Sequence, residues 1–312
     1  MKKQIKSLAS KLGIIKVMPT ENSDLYSSYK PFSKLTILSS EELLSLMKHE
    51  AHRIEKSIYN GIFEDKKNIY IEKFNRIKNI VSILEERKEL ISDPSYLWAK
   101  DIFLTFNDLE NGFIEPRSLN AKSFDMERLN VSSEILNSRR STRVWSKCQL
   151  EKNEFEKISN ILINCGIHAP CSGNRQPWKF LPMIDQKEKM LLKGLKEEHC
   201  TSAPLLIFVG MDKRVYGSLS GKYDESAMYL DAGACIMAMI SAANDAGLGT
   251  CWNHFAKDMI FARKSNIQRY SEFSNYMKIP DYIEPMAILA IGIPEFLPPV
   301  PVRLSVENVK IK

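Results

Sequence analysis

Residues 203–211, Ala203-Pro204-Leu205-Leu206-Ile207-Phe208-Val209-Gly210-Met211, form a short apolar run opened by a proline. A run of this length with β-branched and aromatic members reads as a buried strand, since a helix would need more residues and a polar face. Working outward, residues 178–184 read as another strand, and 132–139 and 149–166 read as helices. Downstream, 224–246 reads as a long helix rich in small residues and Met, and 286–293 as a third strand. A few strands interspersed with helices predict an α+β or mixed α/β domain rather than a helix bundle.

The chain before this region has a different texture. Ser39-Ser40-Glu41-Glu42 offers an N-cap and an acidic first turn for a helix over 43–62. A second helix is expected over 69–90, where Ile77, Ile80, Val81 and Leu84 recur at helical spacing. Asp93-Pro94 breaks it, 96–109 reads as a third helix, and Asn111-Gly112 ends that element. Composition shifts between 111 and 131, so the expected division is a helical region, 1–130, and an α+β domain, 131–312. Internal repeats and low-complexity segments are not seen.

A length of 312 residues, 44% hydrophobic and 26% charged, fits a globular protein of one large or two modest domains. The net charge of +6 is spread among interleaved acids and bases, which argues against nucleic acid as a partner. One local imbalance is the N-terminus, with Lys2, Lys3, Lys6, Lys11 and Lys16 before the first acid, Glu21. Ile5, Leu8 and Leu12 share a helical face there, so a basic membrane-surface helix and a solvated terminus are both open; the second is the simpler. No apolar run of signal-peptide type follows, and no stretch reaches the roughly 18 apolar residues of a membrane span. The six cysteines form no CxxC pair or zinc-finger spacing, so reduced thiols and a cytoplasmic location are expected, without structural metal.

Three stretches carry chemistry. Ser138-Arg139-Arg140-Ser141-Thr142-Arg143 places three guanidinium groups beside hydroxyls at a helix end. Arginine suits phosphate because its planar fork donates two hydrogen bonds at once. Ala169-Pro170-Cys171-Ser172-Gly173-Asn174-Arg175-Gln176-Pro177-Trp178 makes an irregular turn between helix and strand, with short polar side chains able to hold the edge of a heteroaromatic ring. In Ala242-Ala243-Asn244-Asp245-Ala246-Gly247-Leu248-Gly249-Thr250-Cys251-Trp252, Gly247 caps a helix and Gly249 permits close backbone approach. Taken singly, each has a plain structural reading: a solvated arginine cluster, a connecting loop, a helix stop.

Together, in this order and spacing, they resemble the nitroreductase family over residues 131–312. The segment Ala287-Ile288-Leu289-Ala290-Ile291-Gly292-Ile293-Pro294, followed by proline-rich chain and Arg303, resembles it too. The resemblance implies a nitroreductase-like α+β fold with a mostly antiparallel sheet and an intertwined homodimer holding FMN in two interfacial grooves. It implies that Arg139, Ser141 and Arg143 hold the phosphate and ribityl end and the pyrimidine edge of the flavin, with Arg140 also in the cofactor site and contributing less than Arg139. Pro170, Cys171, Ser172, Asn174 and Gln176 would line the isoalloxazine, contributed by the partner subunit. Gly247, Leu248 and Gly249 would lie near its central ring, and Arg303 would reach the phosphate. Two departures stand out. Pro301 occupies a position where many relatives carry a second basic residue, and Cys171 replaces a serine common in the family.

The implied activity is ping-pong reduction of a small organic substrate by NADH or NADPH through FMN, with no obligatory acid or base. No GxGxxG element points to a separate nicotinamide domain. Two alternatives stay open: a flavin dehydrogenase or oxidase working oxidatively on a peptide or sugar-linked intermediate, and a scaffold that has lost its flavin. His52-Arg53-Ile54-Glu55-Lys56 resembles N-terminal extensions of nitroreductase-like proteins encoded with bacterial surface-polysaccharide genes, which would imply a dedicated biosynthetic substrate.

Several other features have simpler readings. His49 and His52 are three apart, where a zincin helix needs four, so metal is set aside. The surrounding segment reads as a charged helix with i,i+3 and i,i+4 pairs. His168 and His254 read as structural histidines, Trp178 and Trp252 as core or flavin-adjacent walls, and Met237 and Met239 as a packed dimer core.

Overall fold

The computed structural model describes residues 32–60, 67–110, 122–216 and 225–311. The basic N-terminal stretch and the Asn111-Gly112 stop fall outside the described residues. The helical region is built from α1 (Ser40–Tyr59), α2 (Lys67–Arg87) and α3 (Pro94–Glu110). The N-cap and acidic first turn expected of α1 are present. Ser39 is the N-cap and accepts from Glu42 N–H, while the Glu42 carboxylate accepts from Ser39 N–H, closing a capping box. Leu43, Met47 and Ile54 of α1 meet Ile77, Ile80 and Leu84 of α2 and Phe106 of α3 in a core of their own.

The charged segment of this helix also pairs across to α2. Glu50 is fully buried and takes Lys73 at 2.8 Å as well as Arg76, tying α1 to α2. The i,i+3 pair expected on the outer face does form, between His52 and Glu55 at 3.5 Å.

Next come α4 (Met126–Ser138) and α5 (Lys152–Ile167). Helix α4 begins six residues before the expected start, because Asp125 accepts from Glu127 N–H and Arg128 N–H as an N-cap; it therefore runs across residue 130. The sheet contains β1 (Trp178–Met183), β2 (Leu205–Asp212), β3 (Gly249–His254) and β4 (Ile283–Gly292), in the order β1-β2-β4-β3 and antiparallel throughout. Two long helices complete the domain, α6 (Glu225–Asp245) and α7 (Lys264–Tyr276).

Strands β2 and β4 are buried at every position, because both faces of the sheet are covered. Leu205, Ile207 and Val209 face Leu162 of α5 and Ile236, Met239 and Ile240 of α6. Leu206, Phe208 and Ile288 face Phe255, Ile260 and Phe273 on the other side. Met239, expected in a dimer core, is thus in the core of its own chain.

Helix α6 is long and apolar enough to cross a membrane. Its buried stripe against the sheet accounts for that composition.

Candidate functional site

The first and third stretches come together. Ser141 bridges Thr250 in parallel fashion, and Thr142 N–H donates to the Thr250 carbonyl at 2.8 Å. Asn244, near the end of α6, donates to Ile135 O at 2.8 Å and Ser138 Oγ at 3.1 Å, pinning the end of α4 beside the same turn. The turn is a Schellman cap. Leu248 N–H donates to Ala243 O, Gly247 N–H donates to Asn244 O, and Gly247 takes φ +77°.

The two glycines have different reasons to be there. A Cβ on Gly249 would lie 2.5 Å from Thr142 Oγ1, so the close approach that Gly249 permits is to the arginine stretch itself. Around Gly247, a Cβ would meet nothing within 4 Å, so this backbone faces open space.

The arginines divide in the same way. Arg140 donates to Asn137 O and Arg139 O, turning back onto the carbonyl end of α4. Arg139 and Arg143 make no hydrogen bond or ion pair among the described residues, and both lie close enough to Cys251 to act on its thiol. Burial still dominates and raises the Cys251 pKa. A cavity of about 430 Å³ opens beside Arg143, with Trp145, Lys147 and His199 in its wall. His199 is held by Asn253 Oδ1 at 3.0 Å.

The second stretch lies elsewhere. Ser172 N–H donates to Asp231 Oδ1 at 2.9 Å, and Tyr216 OH donates to Asp231 Oδ2 at 2.6 Å, fixing the loop to the first half of α6. Gly173, Asn174 and Gln176 all have positive φ, of 62°, 51° and 53°. Two non-glycine residues in the left-handed region within three positions mark a strained loop held by its surroundings. Gln176 donates to Asn174 Oδ1 at 3.1 Å and Arg175 to Ser172 O at 2.7 Å. Cys171 is partly buried, and burial raises its thiol pKa, as suits a packing residue.

What holds this loop is α1, which the sequence did not reveal. Ser45 Oγ donates to Arg175 O at 2.9 Å, Lys48 Nζ donates to Gln176 Oε1 at 3.3 Å, and His49 Nδ1 lies 3.1 Å from Gly173 O. A carbonyl only accepts, so His49 is the donor and carries its proton on Nδ1. Its pKa is depressed to about 4, mainly by burial and then by the neighbouring Arg175.

Other expected residues stand apart. Arg303 is exposed on the C-terminal segment and makes no hydrogen bond or ion pair among the described residues. His168 bonds Asn164 O and His254 pairs with Asp258, both at the surface. Trp178 is buried, whereas Trp252 is 45% exposed. Asp231 was missed, although a lone acid between Leu230 and Ala232 in an apolar helix was a usable signal.

With this geometry in view, residues 182–293 match the model of the Nitroreductase family. The match begins after the arginine stretch and the loop and covers β2, α6, β3 and β4. A proposed NADH dehydrogenase/NAD(P)H nitroreductase of Archaeoglobus fulgidus is 25% identical over 166 residues, 52% of this chain and 84% of that protein. Among solved structures, a proposed NADH dehydrogenase/NAD(P)H nitroreductase from Parabacteroides distasonis aligns with a TM-score of 0.47 and 22% identity, over 58% of this chain and 98% of its own. A proposed nitroreductase from Desulfovibrio desulfuricans, solved with FMN, aligns with a TM-score of 0.46 and 19% identity, over 58% and 95%.

Proposed function

We propose that this protein is an FMN-dependent oxidoreductase that works as a homodimer and reduces a small organic substrate with NADH or NADPH. The observation that carries the reading is the pair of unengaged guanidinium groups, Arg139 and Arg143, on the stretch that pairs with Thr250, three residues past the open backbone of Gly247. Two free cationic forks fit a phosphate, and an uncovered cap fits the flat face of a flavin. FMN, when bound, supplies the two-electron chemistry, taking reducing equivalents from the nicotinamide and giving them to the substrate in alternating half-reactions.

The chain's own residues bind and orient. Arg139 and Arg143 hold the phosphate and the polar edge, with Ser141 beside them. The N–H groups of Gly247 and Leu248 are spent in the helix cap. Gly249 opens β3 opposite Gly292 of β4, so the trio meets the flavin through its backbone surface. Arg303 supplements the phosphate site from the C-terminal segment. Cysteines that are all unpaired accord with a cytoplasmic setting.

Distance along α6 supports the dimer. Asp231 anchors the 170–176 loop and Asp245 ends α6 at the Gly247 cap, fourteen residues apart, about 21 Å along the helix. One flavin ring cannot lie against both sites of one chain, so the loop serves the flavin of the partner. Exposed apolar side chains support an extensive interface: Leu129 and Leu136 on α4, where no residue is buried, and Phe296, Leu297, Val302 and Leu304 on the C-terminal segment. On this reading residues 131–312 form the flavin domain, with α4 reaching back to Met126, and α1–α3 form a helical region that clamps the loop.

The test is a pair of substitutions. Arg139→Ala should weaken FMN binding by about 1.5–3 kcal/mol, the value of a charge-assisted contact, and Arg140→Ala by much less. Equal FMN affinity of the two variants, measured by flavin fluorescence titration, would contradict the phosphate assignment.

A further inference from the structure

A second cavity, of about 360 Å³, lies between α1 and the flavin domain. That volume is in the ~300–1,000 Å³ range of small-molecule sites. Glu41, Ser45 and Lys48 on one face of α1 line it, with Asp93 from the turn before α3 and Lys179 from β1. Asp212 also lines it, but that carboxylate is already neutralised by Arg214 at 2.6 Å.

The remaining charges are unspent. Lys48 is 6% exposed, yet among the described residues its ammonium meets only an amide oxygen, Gln176 Oε1 at 3.3 Å. Two of its three N–H donors are therefore free in a buried place, which is costly unless an anion arrives. Asp93 spends one oxygen capping α3, accepting from Ser95 N–H at 2.8 Å and Ser95 Oγ at 2.6 Å, and forms no ion pair among the described residues. Lys48 and Asp93 feel each other electrostatically but stand beyond salt-bridge distance across the cavity. Glu41 and Lys179 repeat the arrangement at the exposed mouth. Between these charges the wall is apolar, with Leu44, Leu90, Trp178 and Val215.

We propose that this cavity binds a free α-amino acid with an apolar side chain. Its carboxylate meets Lys48, its ammonium meets Asp93, and its side chain lies on the Leu44, Leu90 and Val215 wall. A facing cation and anion held too far apart to pair suit a ligand that carries both charged groups on one carbon. A simple anion would leave Asp93 unmatched, and a simple amine would leave Lys48 unmatched. The site stands independently of the flavin reading, since binding is observable without turnover.

The experiment is calorimetric titration of the full-length protein, as purified, with three probes: L-leucine, 4-methylpentanoate and 3-methylbutylamine. Leucine should bind, and each analogue lacking one charged group should bind about tenfold more weakly or worse. Lys48→Met should remove leucine binding. Asp93→Asn should weaken it by about tenfold while retaining the α3 cap, because asparagine caps helices as well as aspartate does. Lys100→Met, on the outer face of α3, should leave it unchanged. Should Lys48→Met fail to fold, Asp93→Asn decides alone. The proposal is overturned if leucine gives no saturable heat, if either analogue binds as tightly as leucine, or if Asp93→Asn binds leucine like the unaltered protein.

Discussion

Acidification should release α1 from the 170–176 loop, and His49 is the group that sets the pH. Its imidazole donates to Gly173 O as a neutral ring, beside Arg175, in a largely buried position. The pKa falls from 6.5 in the unfolded chain to about 4 in the folded one, through burial first and Arg175 next. Folding therefore disfavours the protonated form. The stabilisation this provides is complete above pH 6.5, declines as pH drops below it and is lost by about pH 4. Each pH unit is worth about 1.4 kcal/mol, so the full interval corresponds to about 3 kcal/mol at most. Glutamine at position 49 can still donate to the carbonyl but does not titrate. Urea unfolding at pH 7 and pH 4.5 should show the unaltered protein losing about 2 kcal/mol more than His49→Gln over that drop. The imidazole carbon–proton signals, one for each of five histidines, read the same quantity directly. A His49 titration near 6.5, or equal acid losses in the two proteins, would refute the buried neutral donor.

Three further outcomes follow from the same contacts. Gly173→Ala puts a Cβ 2.1 Å from His49 Nδ1 at a φ of +62°, so stability should fall by about 1–3 kcal/mol in urea unfolding, with the His49 signal shifted toward that of an exposed ring. Glu50→Gln strips the shared partner of Lys73 and Arg76 from a fully buried position and should cost about 3 kcal/mol, read as an early unfolding transition of the helical region. Lys48, whose pKa burial lowers to about 8, destabilises the fold while charged, and the cost fades as pH rises from 8 toward 10.5. Lys48→Met should therefore stabilise by about 1–2 kcal/mol at pH 7 and by little at pH 10, in paired denaturation curves.

Much of the α+β domain was legible because its signals are local. The apolar run over 203–211 is β2, the small-residue helix is α6, and Gly247 ends it in the cap that its position suggested. Strand β3 escaped because its first residue is Gly249, which read as part of the turn. The alternation of buried Cys251 and Asn253 with exposed Trp252 and His254 was the available clue. The docking of α1 could not be read at all. Ser45, Lys48 and His49 look like a solvated helix face, and only the strained loop opposite gives them partners. For the same reason the burial of Glu50 had no local signal: its two cations lie on another helix, more than twenty residues away. Arg139 and Arg140 differ in sequence only by their place in the motif, and in the structure the end of α4 draws Arg140 back onto its own carbonyls.

The central claim, a flavin held by Arg139 and Arg143 and reduced by nicotinamide, is tested most directly by the absorption spectrum of the purified protein reconstituted with FMN, followed anaerobically through addition of NADH and then NADPH. The account predicts flavin bands corresponding to about one FMN per chain, bleached by one or both nucleotides. A protein that retains no flavin after reconstitution, or a bound flavin that neither nucleotide bleaches, would contradict it.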